Sequence, residues 1–297
     1  MSVRFLNASG CLDALTAPGV ARSLDAFVTK TVTPLPREGN PPPRIAETEH
    51  GMLNSIGLQN PGIDELLRSH LARLRALGVP LWVSVGGFSA ADYALVCARL
   101  EERDEVDTVE LNLSCPNVEE APETTAELVR AARAVTSKPL YAKLSPATWD
   151  IAETARAVAD AGADGLSLVN TIRGLALDPR TRTPKLALGP GGYSGPALAP
   201  IALACVDACA RAVELPIVGM GGVFSGRDAL DLVDAGARDV ALGTVLFADP
   251  LAPERIRHEL EAEVRARGLE IVPSSRADAG QAEIPAGDVG KIGNAAI

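Results

Sequence analysis

The chain has 297 residues, enough for two ordinary domains or for one large α/β barrel. Its 38 acidic against 28 basic residues give a formal net charge of −10 with no concentrated Lys/Arg stripe, which argues against nucleic acid or anionic membrane as a partner. Composition is 47% hydrophobic and 3% aromatic, with no run long enough to span a membrane and no signal-peptide pattern, so a soluble, cytoplasmic protein with an aliphatic core is expected.

Taken in chain order, eight apolar runs read as strands: VRFLNASG (3–10), AFVTKTVT (26–33), PLWVSVGG (80–87), TVELNLSC (108–115), PLYAKLSP (139–146), GLSLVNT (165–171), PIVGMGG (216–222) and DVALGT (239–244). Several are continuously hydrophobic rather than alternating, as parallel strands buried on both faces should be. Amphipathic helix patterns lie between them, at 62–78, 122–137, 150–162 and 226–237. The alternation predicts a (β/α)8 TIM barrel of the α/β class over residues 1–270, ahead of a doubly wound open sheet. A last helix is expected over about 252–268, and the small-residue stretch 271–297 reads as a low-complexity tail.

In such a barrel the chemistry sits at the C-terminal ends of the strands. Read in order, those ends carry Ser9, Lys30, Ser84, Asn112 with Cys115, Lys143, and Asn170 with Thr171. The last two strands close on Gly221 with Gly222 and on Gly243 with Thr244, small residues that let backbone N–H groups approach a phosphate or that simply form tight turns. The three histidines, His50, His70 and His258, fall outside the strand ends, no HExxH occurs, and no metal site is expected. The five cysteines show no CxxC pair and read as reduced thiols. Cys11, Cys97, Cys205 and Cys209 are taken as small buried hydrophobes. Cys115 differs, because it ends a strand between Asn112 and Asn117, whose amides suit a polar planar ligand, and a thiol can accept a proton near neutral pH if its surroundings moderate its pKa.

Together the segments NASGC, GNPPPRIAETEHGMLNSIGLQNPG, ELNLSCPNV, YAKLSP, ADGLSLVNT, GGYSGPALAPIAL, IVGMGGV and ALGTVLFADP resemble class 1 dihydroorotate dehydrogenases, and GLQNPG looks most like the class 1B, NAD-linked catalytic subunits. The resemblance runs in order from about residue 6 to 250. It implies an FMN-dependent oxidation of dihydroorotate to orotate in pyrimidine biosynthesis. Cys115 would take the proton from substrate C5 while a hydride passes from C6 to flavin N5. Lys30, Asn54, Ile56, Gly57, Leu58, Asn112, Asn117, Asn170 and Thr171 fall on substrate-holding positions. Ser9, Lys30, Thr31, Asn112, Lys143, Val169, Gly195, Gly221, Gly222, Gly243 and Thr244 fall on FMN-holding positions. Lys143 suits the task of stabilising negative charge on the reduced ring. The class 1B likeness further implies an electron-transfer subunit carrying FAD and a 2Fe-2S cluster, whereas the class 1A mode uses fumarate, and a homodimer or a heterotetramer is expected.

Three departures stand out. Ser84 occupies a position where the family usually has Asn near the flavin, the segment after Asn117 is shorter than the family's lid, and the chain starts almost at strand one without the family's N-terminal hairpin. They keep two alternatives open: a related flavin oxidoreductase acting on another dihydropyrimidine such as dihydrouracil, and an idle barrel retained for flavin binding or scaffolding.

Overall fold

The computed structural model describes residues 3–113 and 124–268. Cys115, Asn117, the remainder of the short lid segment and the expected tail lie outside the described residues.

All eight expected barrel strands form: β1 (Phe5–Asn7), β2 (Phe27–Val28), β5 (Leu81–Val85), β6 (Thr108–Asn112), β7 (Leu140–Leu144), β8 (Gly165–Leu168), β11 (Ile217–Met220) and β12 (Asp239–Leu242). They pair in parallel in the order β1-β12-β11-β8-β7-β6-β5-β2, and a parallel bridge from Leu6 to Ala26 brings β1 back to β2. The barrel is therefore closed, as the continuous apolar runs implied. At this seam the backbone ladder is short, and the side chain of Asn7 substitutes for it. Its Nδ2 donates to Val28 O at 2.7 Å and its Oδ1 accepts from Val28 N at 2.8 Å, with Asn7 fully buried.

Inside the barrel Leu6, Val28, Trp82, Tyr141, Val218, Met220 and Ala241 form one cluster, with the Trp82 and Tyr141 rings 4.6 Å apart. The larger core lies between the strands' outer faces and the helices, and includes Leu111, Leu140 and Leu166, all with no exposed surface. The covering helices are α1 (Pro18–Arg22), α4 (Ala90–Glu101), α5 (Thr125–Arg133), α6 (Ile151–Asp160), α7 (Ala199–Ala212), α8 (Gly226–Asp234), the short α9 (Val245–Ala248) and α10 (Ala252–Ala266). The pattern over 62–78 becomes α2 (Ile63–Glu65), a π-helical turn (Leu66–His70) and α3 (Leu71–Arg75). Several starts are fixed by local chemistry: Ser89 and Asp150 cap α4 and α6, and reciprocal capping boxes, Thr124 with Glu127 and Ser225 with Asp228, begin α5 and α8.

A second sheet was not anticipated. β3 (Ile45–Thr48), β4 (Gly51–Asn54), β9 (Ile172–Gly174) and β10 (Gly191–Ser194) form a four-stranded antiparallel sheet in the order β3-β4-β10-β9. Its strands come from two long excursions, one after β2 and one after β8, and Gly192 pairs with Asn54 across it.

One ionic contact ties α4 to the approach to β7. The Ser137 hydroxyl donates to Glu101 Oε1 at 2.6 Å, and Thr136 Oγ1 donates to Oε2 at 2.5 Å. These bonds, Ser137 first, pull the Glu101 carboxyl down from 4.5 to about 2. A lowered folded-state pKa stabilises above the unfolded value and is lost as pH falls through the folded one. Glu101→Gln should therefore lower the melting temperature by a few degrees at most at pH 7, since the group is largely solvated. That deficit should close between about pH 4.5 and about 2; a deficit independent of pH across that window would refute the assignment.

Candidate active site

A pocket opens at the C-terminal ends of the barrel strands, where the fold class places chemistry. Its wall takes Ser9, Gly10 and Cys11 from beyond β1, Lys30 and Thr31 from beyond β2, Asn112 from the end of β6 and Lys143 from β7. Val169, Asn170 and Thr171 follow β8, Gly221 and Gly222 follow β11, and Gly243 and Thr244 follow β12. The second sheet and the segment after β4 supply Asn54, Ile56, Gly57, Leu58, Ser194 and, just beyond β10, Gly195. Every described residue assigned to substrate or FMN from the sequence thus lines one pocket, and Asn117 lies outside the described residues.

Local backbone chemistry explains how Lys30 and Thr31 reach it. Thr29 N donates to Trp82 O and Val32 N to Ser84 O, so three steps along the β2 side match two along β5. This bulge inserts one extra residue and re-aims the side chains between the two bonds. Gly57, with φ +74°, followed by Leu58 at φ +57°, turns the chain after β4 sharply into the pocket wall. A Cβ on Gly57 would come within 2.8 Å of Asn40 N, so the position admits only glycine.

The polar wall is a connected chain. Asn170 Nδ2 donates to Asn112 Oδ1 at 3.0 Å, Asn112 Nδ2 to Thr31 Oγ1 at 3.2 Å, and Thr31 Oγ1 pairs with Ser84 Oγ at 3.0 Å. Ser9 Oγ joins at Thr31 at 3.3 Å and donates to Thr29 O at 2.8 Å. Tyr93 Oη donates to Asn112 O at 2.7 Å and braces the end of β6 from outside. Ser84 is fully buried and stands behind Thr31, not in the pocket wall, so its departure from Asn bears on the support of Thr31 and not directly on the ligand.

On the opposite side the pocket is apolar, with Leu198, Met220, Val223 and Phe224 beside Gly221 with Gly222 and Gly243 with Thr244. Thr244 Oγ1 donates to Ser194 Oγ at 2.8 Å, which ties β12 to the second sheet. Ser194, Met52, Phe224, Phe247 and Cys11 were not anticipated as wall residues. Ser194 adjoins Gly195 in the quoted GGYSG stretch, and that adjacency was the one available signal.

Charge is concentrated at one corner. Lys143 Nζ lies 3.7 Å from Glu110 Oε1, with both side chains almost wholly buried. Lys143 and Lys30 both act on the Cys11 thiol, but burial outweighs them and pushes it upward. Cys11 therefore stays protonated near neutrality and is a poor base. Burial likewise raises Cys97 and Cys209 to about 12, in keeping with packing roles. His50 lies at the exposed β3–β4 turn, His70 in the π-helical turn and His258 on α10, all outside the pocket wall.

Comparison with known proteins agrees with this geometry. The dihydroorotate dehydrogenase family matches residues 3–264. Proteins named dihydroorotate dehydrogenase B (NAD(+)), catalytic subunit, from Halalkalibacterium halodurans and Listeria monocytogenes are 45% identical over 256 residues and 44% over 253. These matches cover 84% and 83% of this chain, and the same shares of the two relatives. The crystal structure of DHODH in complex with ferulenol from Eimeria tenella has the same fold, with a TM-score of 0.73 at 22% identity, covering 89% of this chain and 82% of that one. With a matched family that spans the barrel and the polar pocket at its C-terminal face, the chain belongs to the dihydroorotate dehydrogenases, oxidoreductases that act on the CH–CH group of dihydroorotate.

Proposed function

We propose that the chain oxidises dihydroorotate on one bound FMN in the cytoplasm, with Cys115 as the base, and passes the electrons to a separate NAD-linked subunit. The observation that carries this reading is the convergence of two lysines, three Asn amides and the glycine-closed ends of β11 and β12 on one pocket. That donor set fits FMN. Gly221, Gly222, Gly243 and Thr244 offer backbone and hydroxyl groups to a phosphate, the apolar side suits a ring system, and Lys143 meets its negative charge.

Bound FMN supplies the hydride acceptor. The chain's own groups do the rest: Asn54, Asn112 and Asn170 match the alternating N–H and C=O edge of a pyrimidine without adding charge, Lys30 meets its carboxylate, and Cys115 accepts the C5 proton. The naming of the bacterial relatives as catalytic subunits of an NAD-dependent enzyme supports the link to an electron-transfer subunit, and the class 1B resemblance implies that this subunit carries FAD and a 2Fe-2S cluster. Among the described residues no helix is long and apolar enough to cross a membrane.

The purified chain should be yellow, with about one FMN, and should bleach anaerobically on addition of dihydroorotate. NAD added to the isolated chain should leave it bleached, and the partner subunit should restore the colour. Folded but colourless protein, or bleaching by dihydrouracil and not by dihydroorotate, would overturn the reading.

The phosphate placement has its own test. Gly222 has φ +79°, and a Cβ there would lie 2.6 Å from Ala199 N, so its replacement strains the fold itself. Gly243 is free of that problem, because a Cβ would meet only Ala8 Cβ at 3.6 Å and Cys11 Sγ at 3.8 Å, ordinary contact. Gly243→Val should keep its circular dichroism yet cut FMN content at least about tenfold, since branched methyls would occupy the close approach of backbone to ligand. Stoichiometric flavin in that variant would place the cofactor elsewhere.

A further inference from the structure

The interior of the barrel carries a polar layer beneath the pocket. Tyr141 and Trp82 face inward, and the parallel register sets Trp82 beside Thr108, Ser84 beside Glu110, Glu110 beside Tyr141, and Lys143 beside Ser167. Alternation along each strand then turns Ser84, Glu110, Lys143 and Ser167 toward the barrel axis. Glu110 is 1% exposed and is absent from the pocket wall, whereas Lys143 is part of that wall. Among the described residues, Glu110 Oε1 and Ser167 Oγ are both buried without a hydrogen-bond partner.

A carboxylate in this position is costly, since burying a charge is repaid only by close pairing and full hydrogen bonding. Here the pairing is a 3.7 Å contact with Lys143, and Oε1 accepts no hydrogen bond. An apolar side chain would fill the layer at lower cost. The ionic contact it makes is with Lys143, a residue of the pocket wall.

We propose that Glu110 is a positioning residue. Its carboxylate holds the Lys143 ammonium at the base of the pocket and offsets part of that positive charge, so the bound flavin is reduced less readily than beside Lys143 alone. The proposal rests on the FMN reading above. Positive charge near the ring favours its reduced, more negative form, and removal of a nearby negative charge acts in the same direction.

The test is Glu110→Gln, which keeps shape and removes charge. Parent and variant holoproteins are equilibrated with a reference dye at fixed potential, and flavin absorbance reads the ratio of reduced to oxidised cofactor. The ratio should rise at least about tenfold in Glu110→Gln, as expected for losing one close charge in a low-dielectric site. Glu110→Asp keeps the charge but withdraws it by one methylene, and should raise the ratio by a smaller factor, about threefold. It carries the test if the glutamine variant does not fold. A yellow, folded variant with an unchanged ratio and only a lowered melting temperature would make Glu110 a structural residue and overturn the proposal. A parent protein that binds no flavin would overturn the cofactor reading first and this one with it.

Discussion

Cys115→Ala should remain yellow and bind orotate close to normally, yet lose anaerobic flavin reduction by dihydroorotate by about 100-fold to 10,000-fold, the usual range for removal of a general base. The expectation rests on elimination as well as on resemblance. Cys11, the other cysteine near the chemistry, lines the pocket, but burial holds its thiol up against the pull of Lys143 and Lys30. Among the described residues no histidine lines the wall. Among the described residues the wall also holds no Asp or Glu, and Glu110, outside the wall, makes an ionic contact with its Lys143. The base proposed from the sequence is Cys115, which follows Asn112 in the chain and lies outside the described residues. Cys115→Ser should keep a small activity that rises with pH, since a hydroxyl gives up its proton less easily than a thiol. Near-normal flavin reduction in the alanine variant at neutral pH would end the assignment.

Asn112→Ala should raise the dissociation constant of orotate about 10-fold to 100-fold, equivalent to about 1.4–2.8 kcal/mol. Asn112 is the middle of the polar wall. It accepts from Asn170 and donates to Thr31, so its loss removes the ligand contact proposed for it and one of the bonds that orient Asn170. The fold should survive, because the backbone of β6 stays paired with β5 and β7 and Tyr93 still donates to the residue's carbonyl. Orotate titrated against flavin absorbance reads the constant directly. Binding within twofold of the parent would show that the amide serves only the protein's internal network.

The barrel was legible because its strands are buried on both faces and its helices are amphipathic, so hydrophobic periodicity marks both; LWVSV and LYAKL are wholly buried in the structure. The second sheet was not legible. IAET, GMLN, IRG and GGYS are three or four residues long, mostly half-exposed and rich in glycine, and they show neither a continuous apolar run nor strict alternation. Asn54 was assigned to substrate through its motif, and nothing in the spacing reveals that it ends a strand paired to residues far along the chain. Glu110 was invisible for a different reason. A lone charge in a strand ordinarily faces solvent, and only the register with Ser84 and Tyr141 turns it inward.

The pairing of β4 with β10 also bears on synthesis. Asn54 and Gly192 are 138 positions apart, so as the chain leaves the ribosome the β3–β4 hairpin exists long before its third strand does. Through that interval β4 presents an open edge of unpaired amides and carbonyls, the kind of surface that recruits wrong partners. Its brevity is the safeguard: four residues, Gly51–Asn54, give too little ladder to hold a stray strand, while β10, arriving with β9 already beside it, can complete the sheet as a unit.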